Sequence, residues 1–231
     1  MPVSLIPIVL FALLCGRASA HDLWIERDGP KHTLVYGHER SGHEGAKSIE
    51  YRPESVKQAT CLNGSGQDIK ASRTATFPVT LQGDCAATWF LISSGYWSKT
   101  PYGTKNVAKN EASAVMDSWL SVEAVKRIDQ WGAGLARAQT QALELTPMDN
   151  PLKLKPGDKL RLCAWYQGKP TPGVTVAYFG KPRGITDAEG HVNIRLVNPG
   201  FQLIQASLEF PLNDGKADKA IHSSSLHFDI P

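Results

Sequence analysis

The chain has 231 residues, with 25 Lys and Arg against 22 Asp and Glu, for a formal net charge of +3. That balance, without any basic run or stripe, excludes the electrostatic footprint of a nucleic-acid binder. The length admits one large or two small domains, and 20 Gly with 15 Pro point to a turn-rich globular chain.

Residues 3–14, VSLIPIVLFALL, are apolar but shorter than the about 20 residues that a bilayer span requires. Ala18-Ser19-Ala20 follows, with the small-x-small pattern that a signal peptidase cuts. The opening MPVSLIP lacks Lys and Arg, and Leu14 stands where lipid attachment at Cys15 would want a small residue. The expectation is a cleaved signal over 1–20, a periplasmic mature chain beginning at His21, and no stable membrane insertion afterwards. Loss of Arg17 would leave 24 basic residues, one fewer than 25, against 22 acidic ones.

Further along, DLWIER, HTLVYGH, ATFPVTL and TWFLISSGYW read as strands bounded by turn residues. The composition of SAVMDSWLSVEAVKRIDQW, within 112–131, would allow a helix. Alternation of Trp119, Ser121, Glu123 and Val125 with Leu120, Val122 and Ala124 favours a strand. The segment LTPMDNP, 145–151, divides an N-terminal β domain, 21–144, from a C-terminal one, 145–231. In the latter the turns PGD, GKP, DAEG and NPG recur about every 8–12 residues, a spacing that suits an immunoglobulin-like sandwich. The expected class is therefore all-β, two tandem β-sandwich domains, the second immunoglobulin-like.

Export permits disulfides. Cys61 and Cys85 flank a loop-rich segment of one half and are expected to pair, whereas Cys163, within KLRLCAWY, reads as a buried free thiol. Trp24, Trp89 and Trp165 read as core residues. Tyr96, Trp97 and Tyr102, in SSGYWSKTPYGTKN, fit either a pocket wall or a sandwich-edge hairpin.

Histidine placement carries the functional signal. Of seven histidines, four (His21, His32, His38 and His43) fall at the start of the expected mature chain. His38 and His43 lie in YGHERSGHEG, where Gly37, Gly42 and Gly45 let the backbone fold back. On a straight strand, residues five apart would face opposite ways, so a shared metal requires a loop here. Glu44 is a possible oxygen ligand beside them. As a mature N-terminus, His21 would offer its α-amine and imidazole Nδ1 to one metal in a six-membered chelate. The amine titrates at about 7.7–8.0, so a metal displaces its proton readily. A nitrogen-rich set of His21, His38 and His43 suits nickel(II) or copper(II), and imidazole also accepts cobalt and zinc. Taken singly, each of these histidines reads as an ordinary solvated residue; it is their coincidence that points to a metal. His32 reads as a surface residue of a strand. His222 and His227, in IHSSSLHFDI, face opposite sides of a last strand, so at most one could join the site as a secondary ligand.

No nucleophile elbow, Walker loop or dinucleotide fingerprint occurs, and GITDAEGHVNI lacks the spacing of a calcium loop. These absences argue against an enzyme.

HDLWIE, YGH…HEG, SGYWSKTPYGTKN and LELTP…NPLKLKPGDKLRL…GKPTPGVTV together resemble a family of exported bacterial proteins. Its members are described as periplasmic components of cobalt/nickel ABC-type transport systems, with a shared domain otherwise of unknown function. The resemblance covers nearly the whole expected mature chain. It implies an extracytoplasmic β-sandwich protein that binds nickel or cobalt and serves a separate membrane permease, with His21, His38 and His43 as matching ligands. Two other readings stand beside it. One is a copper-binding carrier or a histidine-brace copper oxygenase, the latter without a recognisable flat aromatic substrate platform. The other is a non-metal adhesion or scaffold module built on the second sandwich.

Overall fold

Residues 22–38 and 48–231 are described by a computed structural model. The strands of the first half are β1 (Asp22–Asp28), β2 (Lys31–Gly37), β3 (Val56–Leu62), β4 (Asp68–Ile69), β5 (Ser72–Arg73), β6 (Thr80–Gln82), β7 (Ala87–Thr100), β8 (Gly103–Lys105) and β9 (Asp117–Ile128). Those of the second are β10 (Glu144–Pro147), β11 (Lys159–Tyr166), β12 (Lys169–Pro170), β13 (Thr175–Tyr178), β14 (Lys181–Ile185), β15 (His191–Arg195), β16 (Gly200–Pro211) and β17 (Lys219–Ile230). The all-β class is as the turn spacing predicts, and the alternating stretch at Trp119–Val125 is a strand. The stretch ATFPVTL differs from expectation: only Thr80 and Leu81 join a strand, after a cis Phe77–Pro78 bond. Pro78 has no N–H to give a ladder, which keeps the start of that stretch out of the sheet.

The central layer is a nine-stranded sheet in the order β14-β13-β16-β17-β9-β7-β3-β4, with β8 on β7. Its pairings are antiparallel except one: β17 runs parallel to β9, from Lys219 opposite Trp119 to His227 opposite Arg127. The sheet therefore takes strands from both sides of residue 144. Two smaller sheets cover it, β1-β2-β6-β5 and β10-β11-β12 with β15 on β11.

Side-chain alternation assigns the covers to opposite faces. Ser225 Oγ donates to Leu23 O at 3.1 Å, and Ile25 N–H donates to His227 Nε2 at 2.9 Å, so the odd-numbered residues of β17 meet β1. The even-numbered residues Leu226 and Phe228 pack instead with Leu145, Leu160 and Leu162 of the other cover. On β9, Lys126 lies on that same second face and donates to Glu144 Oε1 at 2.7 Å; its side chain is 2% exposed and that of Glu144 1%. The other carboxylate oxygen of Glu144 accepts from Gln139 N at 2.9 Å and Thr140 N at 3.0 Å. Such complete bonding is what allows a charge pair to persist without water.

Local chemistry fixes the joints. Asp187 Oδ1 accepts from the N–H groups of Glu189, at 3.1 Å, and His191, at 2.7 Å, which shapes the DAEG turn. Cys61 and Cys85 are bonded, with Cα atoms 5.1 Å apart, and Cys163 is a buried free thiol, both as expected. A Cβ on Gly132 would lie 2.1 Å from Gly64 O, so the chain after β9 seats on the turn after β3 only because both positions are glycine. No described helix is long and apolar enough to cross a membrane.

Candidate functional site

The β1–β2 hairpin positions the only expected site residue of the N-terminal cluster that lies among the described residues. Leu23, Ile25 and Leu34 turn inward and pack on Phe90, Ile92 and Val125 of the central sheet. The outer backbone edge of β1 rests on β17 through the Ser225 and His227 contacts. At the open end of the hairpin Asp22 pairs with Gly37. Asp22 is buried, and its Oδ1 accepts from Gln205 Nε2 of β16 at 2.6 Å, which ties this end to the sheet below. His38 follows Gly37 directly and is itself buried.

Leu23 and Ile25 meet Ser225 and His227 in the same chain order, so β1 and β17 run in one direction. Moving back two residues on each strand, about 7 Å, brings the open end of the hairpin towards Ser223. In register with Ser223 on the neighbouring strand is Glu123. Glu123 is half-buried between Ser223 and Ile92, and Ser121 Oγ donates to its Oε1 at 3.3 Å. Burial pushes its carboxyl up to about 7, against which the Ser121 hydrogen bond acts weakly; no described cation offsets it. Tyr36, two residues before His38, is pushed up to about 12 by burial first and by the charge of Glu123 second. Tyr36 and Glu123 are thus both partly buried and within electrostatic reach of each other. The sequence reading did not single out Glu123, whose alternation with Trp119, Ser121 and Val125 places it on one face of β9.

His21, His43 and Glu44 lie outside the described residues. His222 and His227 occupy opposite faces of β17. His227 is fully buried, with Nε2 engaged by Ile25 N–H. Ile25 pairs with Leu34, four residues before His38, which sets His227 roughly 13 Å back along the hairpin. His222 stands on the other face, stacked on Phe210 at 5.1 Å and edge-on to Tyr166 at 5.0 Å, and burial lowers its pKa. Among the described residues, no three of His, Cys, Asp and Glu gather as a metal-holding group.

His32 differs from expectation. It is 1% exposed rather than at the surface, and its Nε2 lies 3.3 Å from Asp129 Oδ2. Arg127 Nε donates to the other oxygen of Asp129 at 2.8 Å. The signal was the alternation His32-Leu34-Tyr36, which puts all three on the inward face. Trp24 and Trp89 are core residues as expected, while Trp165 is only partly buried and donates to Thr146 Oγ1 at 2.8 Å.

The aromatic segment forms the β7–β8 hairpin. Trp97 pairs across strands with Trp119, Tyr96 O–H donates to Asp214 at 2.8 Å, and Tyr102 at the turn is 89% exposed. Trp119 is one alternation beyond Ser121, so this partly buried tryptophan pair borders the space that holds Glu123.

Comparison with known proteins gives one family match, to the domain of unknown function DUF4198, over residues 18–209. No curated protein and no solved structure matches the chain.

Proposed function

The chain belongs to the DUF4198 family, and from that premise we propose that it is a periplasmic protein that binds nickel or cobalt and hands the ion to a separate permease. Cleavage before His21 supplies an amine and an imidazole, and His38 and His43 complete a nitrogen-rich set, with Glu44 as a further oxygen donor.

The observation that carries this reading is the register of the hairpin. Asp22, the residue after His21, pairs with Gly37, the residue before His38. Each histidine is one covalent step from that pair, and successive Cα atoms are about 3.8 Å apart. Chain ends tied so closely give two ligands a shared metal at small entropic cost. The burial of His38 suits the role, because fewer waters compete for its ring. Each nitrogen must shed its proton to bind, so occupancy falls as pH falls.

The test begins with the exported protein, its N-terminus sequenced, titrated with nickel, cobalt, copper and zinc. A second form carries one extra alanine before His21. The expected result is stoichiometric nickel or cobalt binding that weakens by tenfold or more in the extended form. Equal affinity in the two forms defeats the terminal chelate, and strong preference for copper moves the assignment to a copper carrier or oxygenase.

A further inference from the structure

We infer that the tip of the β7–β8 hairpin, with Tyr102 at its point between Lys99 and Lys105, is a peripheral docking site for an anionic lipid surface. Metal binding has no part in this role, and no metal enters its test.

Exposure comes first. Tyr102 is 89% exposed and Met116 66%, the two most exposed large apolar side chains among the described residues. Both belong to one end of the central sheet. The turn between β7 and β8 carries Tyr102, and Met116 N–H donates to Lys99 O at 2.8 Å beside it. A single exposed apolar residue is ordinary on a protein surface. Here, however, the turn is held firmly while its side chain is left out. The hydroxyl of the buried Thr100 accepts from Tyr102 N–H at 3.2 Å and donates to Gly103 O at 2.9 Å. Gly103 takes a φ of +118°, where a larger residue would be strained. At the base of the hairpin, Asn106 Nδ2 donates to Ser94 O and Tyr96 O, both at 2.8 Å.

Charge comes second. Residues 93–110 contain Lys99, Lys105 and Lys109 and no Asp or Glu. Lys109 is paired with Asp218, and the neighbouring Asp117 is taken by Lys219 at 3.3 Å. Lys99 and Lys105 are exposed, and among the described residues neither has a carboxylate partner. The nearest acid along the chain is Glu111, six positions after Lys105. Lys99 pairs across the hairpin with Thr104 and Lys105 with Ser98, so the two lysines leave opposite faces and flank the tip.

Shape and chemistry select the occupant. A protein complex of standard size covers about 800 Å² on each partner, more than a tight turn with one tyrosine and one methionine offers. A bilayer asks only for side chains that sit at headgroup level. Tyrosine does so with an apolar ring and a polar hydroxyl, and lysine with an apolar stem and an ammonium that meets lipid phosphate. Each lysine close to an anionic leaflet strengthens the attraction, and so few groups give reversible docking rather than insertion. β1 runs with β17 and β17 with β9, so the open end of the β1–β2 hairpin faces the same way as the tip.

The test floats the exported protein, its N-terminus verified, with vesicles of equal parts phosphatidylglycerol and phosphatidylcholine, and with vesicles of phosphatidylcholine alone. Expected is binding to the anionic vesicles at least tenfold stronger than to the neutral ones, most of it released by high salt, which screens surface charge. Tyr102→Ser and the double variant Lys99→Glu/Lys105→Glu should each weaken binding fivefold or more. Both should melt with the parent, because these side chains are exposed. Ile185→Ser removes a similarly exposed apolar side chain from β14 and should bind as the parent does. Absence of binding by the parent, equal binding to both kinds of vesicle, or undiminished binding by Tyr102→Ser would each overturn the assignment.

Discussion

The two faces of the central sheet solve the problem of burial differently. Beneath β10 and β11, Leu160, Leu162, Leu226 and Phe228 form the larger of the two cores, and the buried pair Lys126–Glu144 is fully bonded. Beneath β1 and β2 the core is smaller and is reinforced by the Cys61–Cys85 disulfide. That face also holds the groups with chemistry to offer: His32 on Asp129, His227 under Ile25, and Glu123 with its raised carboxyl. One side of the sheet is an anchor, and the other can afford polar groups because the anchor and the disulfide hold the frame.

That contrast breaks first, if it breaks, at Lys126. Lys126→Met leaves Glu144 charged and buried without its cation, an expected loss of about 3–5 kcal/mol in urea unfolding. A loss below about 1 kcal/mol would mean that the pair is not part of the anchor. On the opposite face, replacing both Cys61 and Cys85 by Ala opens a loop of sequence separation 24. The expected cost is about 2–4 kcal/mol, read as a lower unfolding midpoint.

A pH series sharpens the comparison further. Burial alone would raise Asp129, but the His32 hydrogen bond and the Arg127 charge outweigh it and hold its carboxyl below the ordinary range. A depressed folded value contributes stability above the unfolded value of about 3.9, which is lost as pH falls through the folded one. Asp129→Asn should therefore cost about 1.5–3 kcal/mol at neutral pH and flatten the acid limb of the stability curve below about pH 4. The smallest effect is expected at Arg161, whose exposed pair with Asp149 lies at 2.5 Å on the outer side of β11. Arg161→Ala should change stability by less than about 1 kcal/mol.

What could be read from the sequence was local. The DAEG turn, the cysteine pair and the alternation through Trp119–Val125 each depend on neighbours a few residues apart, and each took the expected form. The inward turn of His32 was equally local, and was misjudged because a histidine was weighed singly instead of with Leu34 and Tyr36. The parallel pairing of β9 with β17 had no such signal, since its partners are about a hundred residues apart and both strands alternate in the same way. Glu123 shares that difficulty: its alternation marks a face, but only its pairing beside Ser223, with β1 seated on β17 at Ser225, shows which cover that face meets. The stretch ATFPVTL failed for a different reason, because its apolar pattern outweighed the missing donor of Pro78.

The side-chain seat of β1 on β17 spans 202 positions, from Ile25 to His227. A chain made from its amino end presents the hairpin first and must wait for its last strand before that hairpin has anywhere to rest. Until then β9 has a bare edge, the kind of surface that recruits other chains. Such distant closure makes for slow maturation. Quality control of this protein is thus written at its tail: loss of the final dozen residues should undo the beginning of the chain before it disturbs the middle.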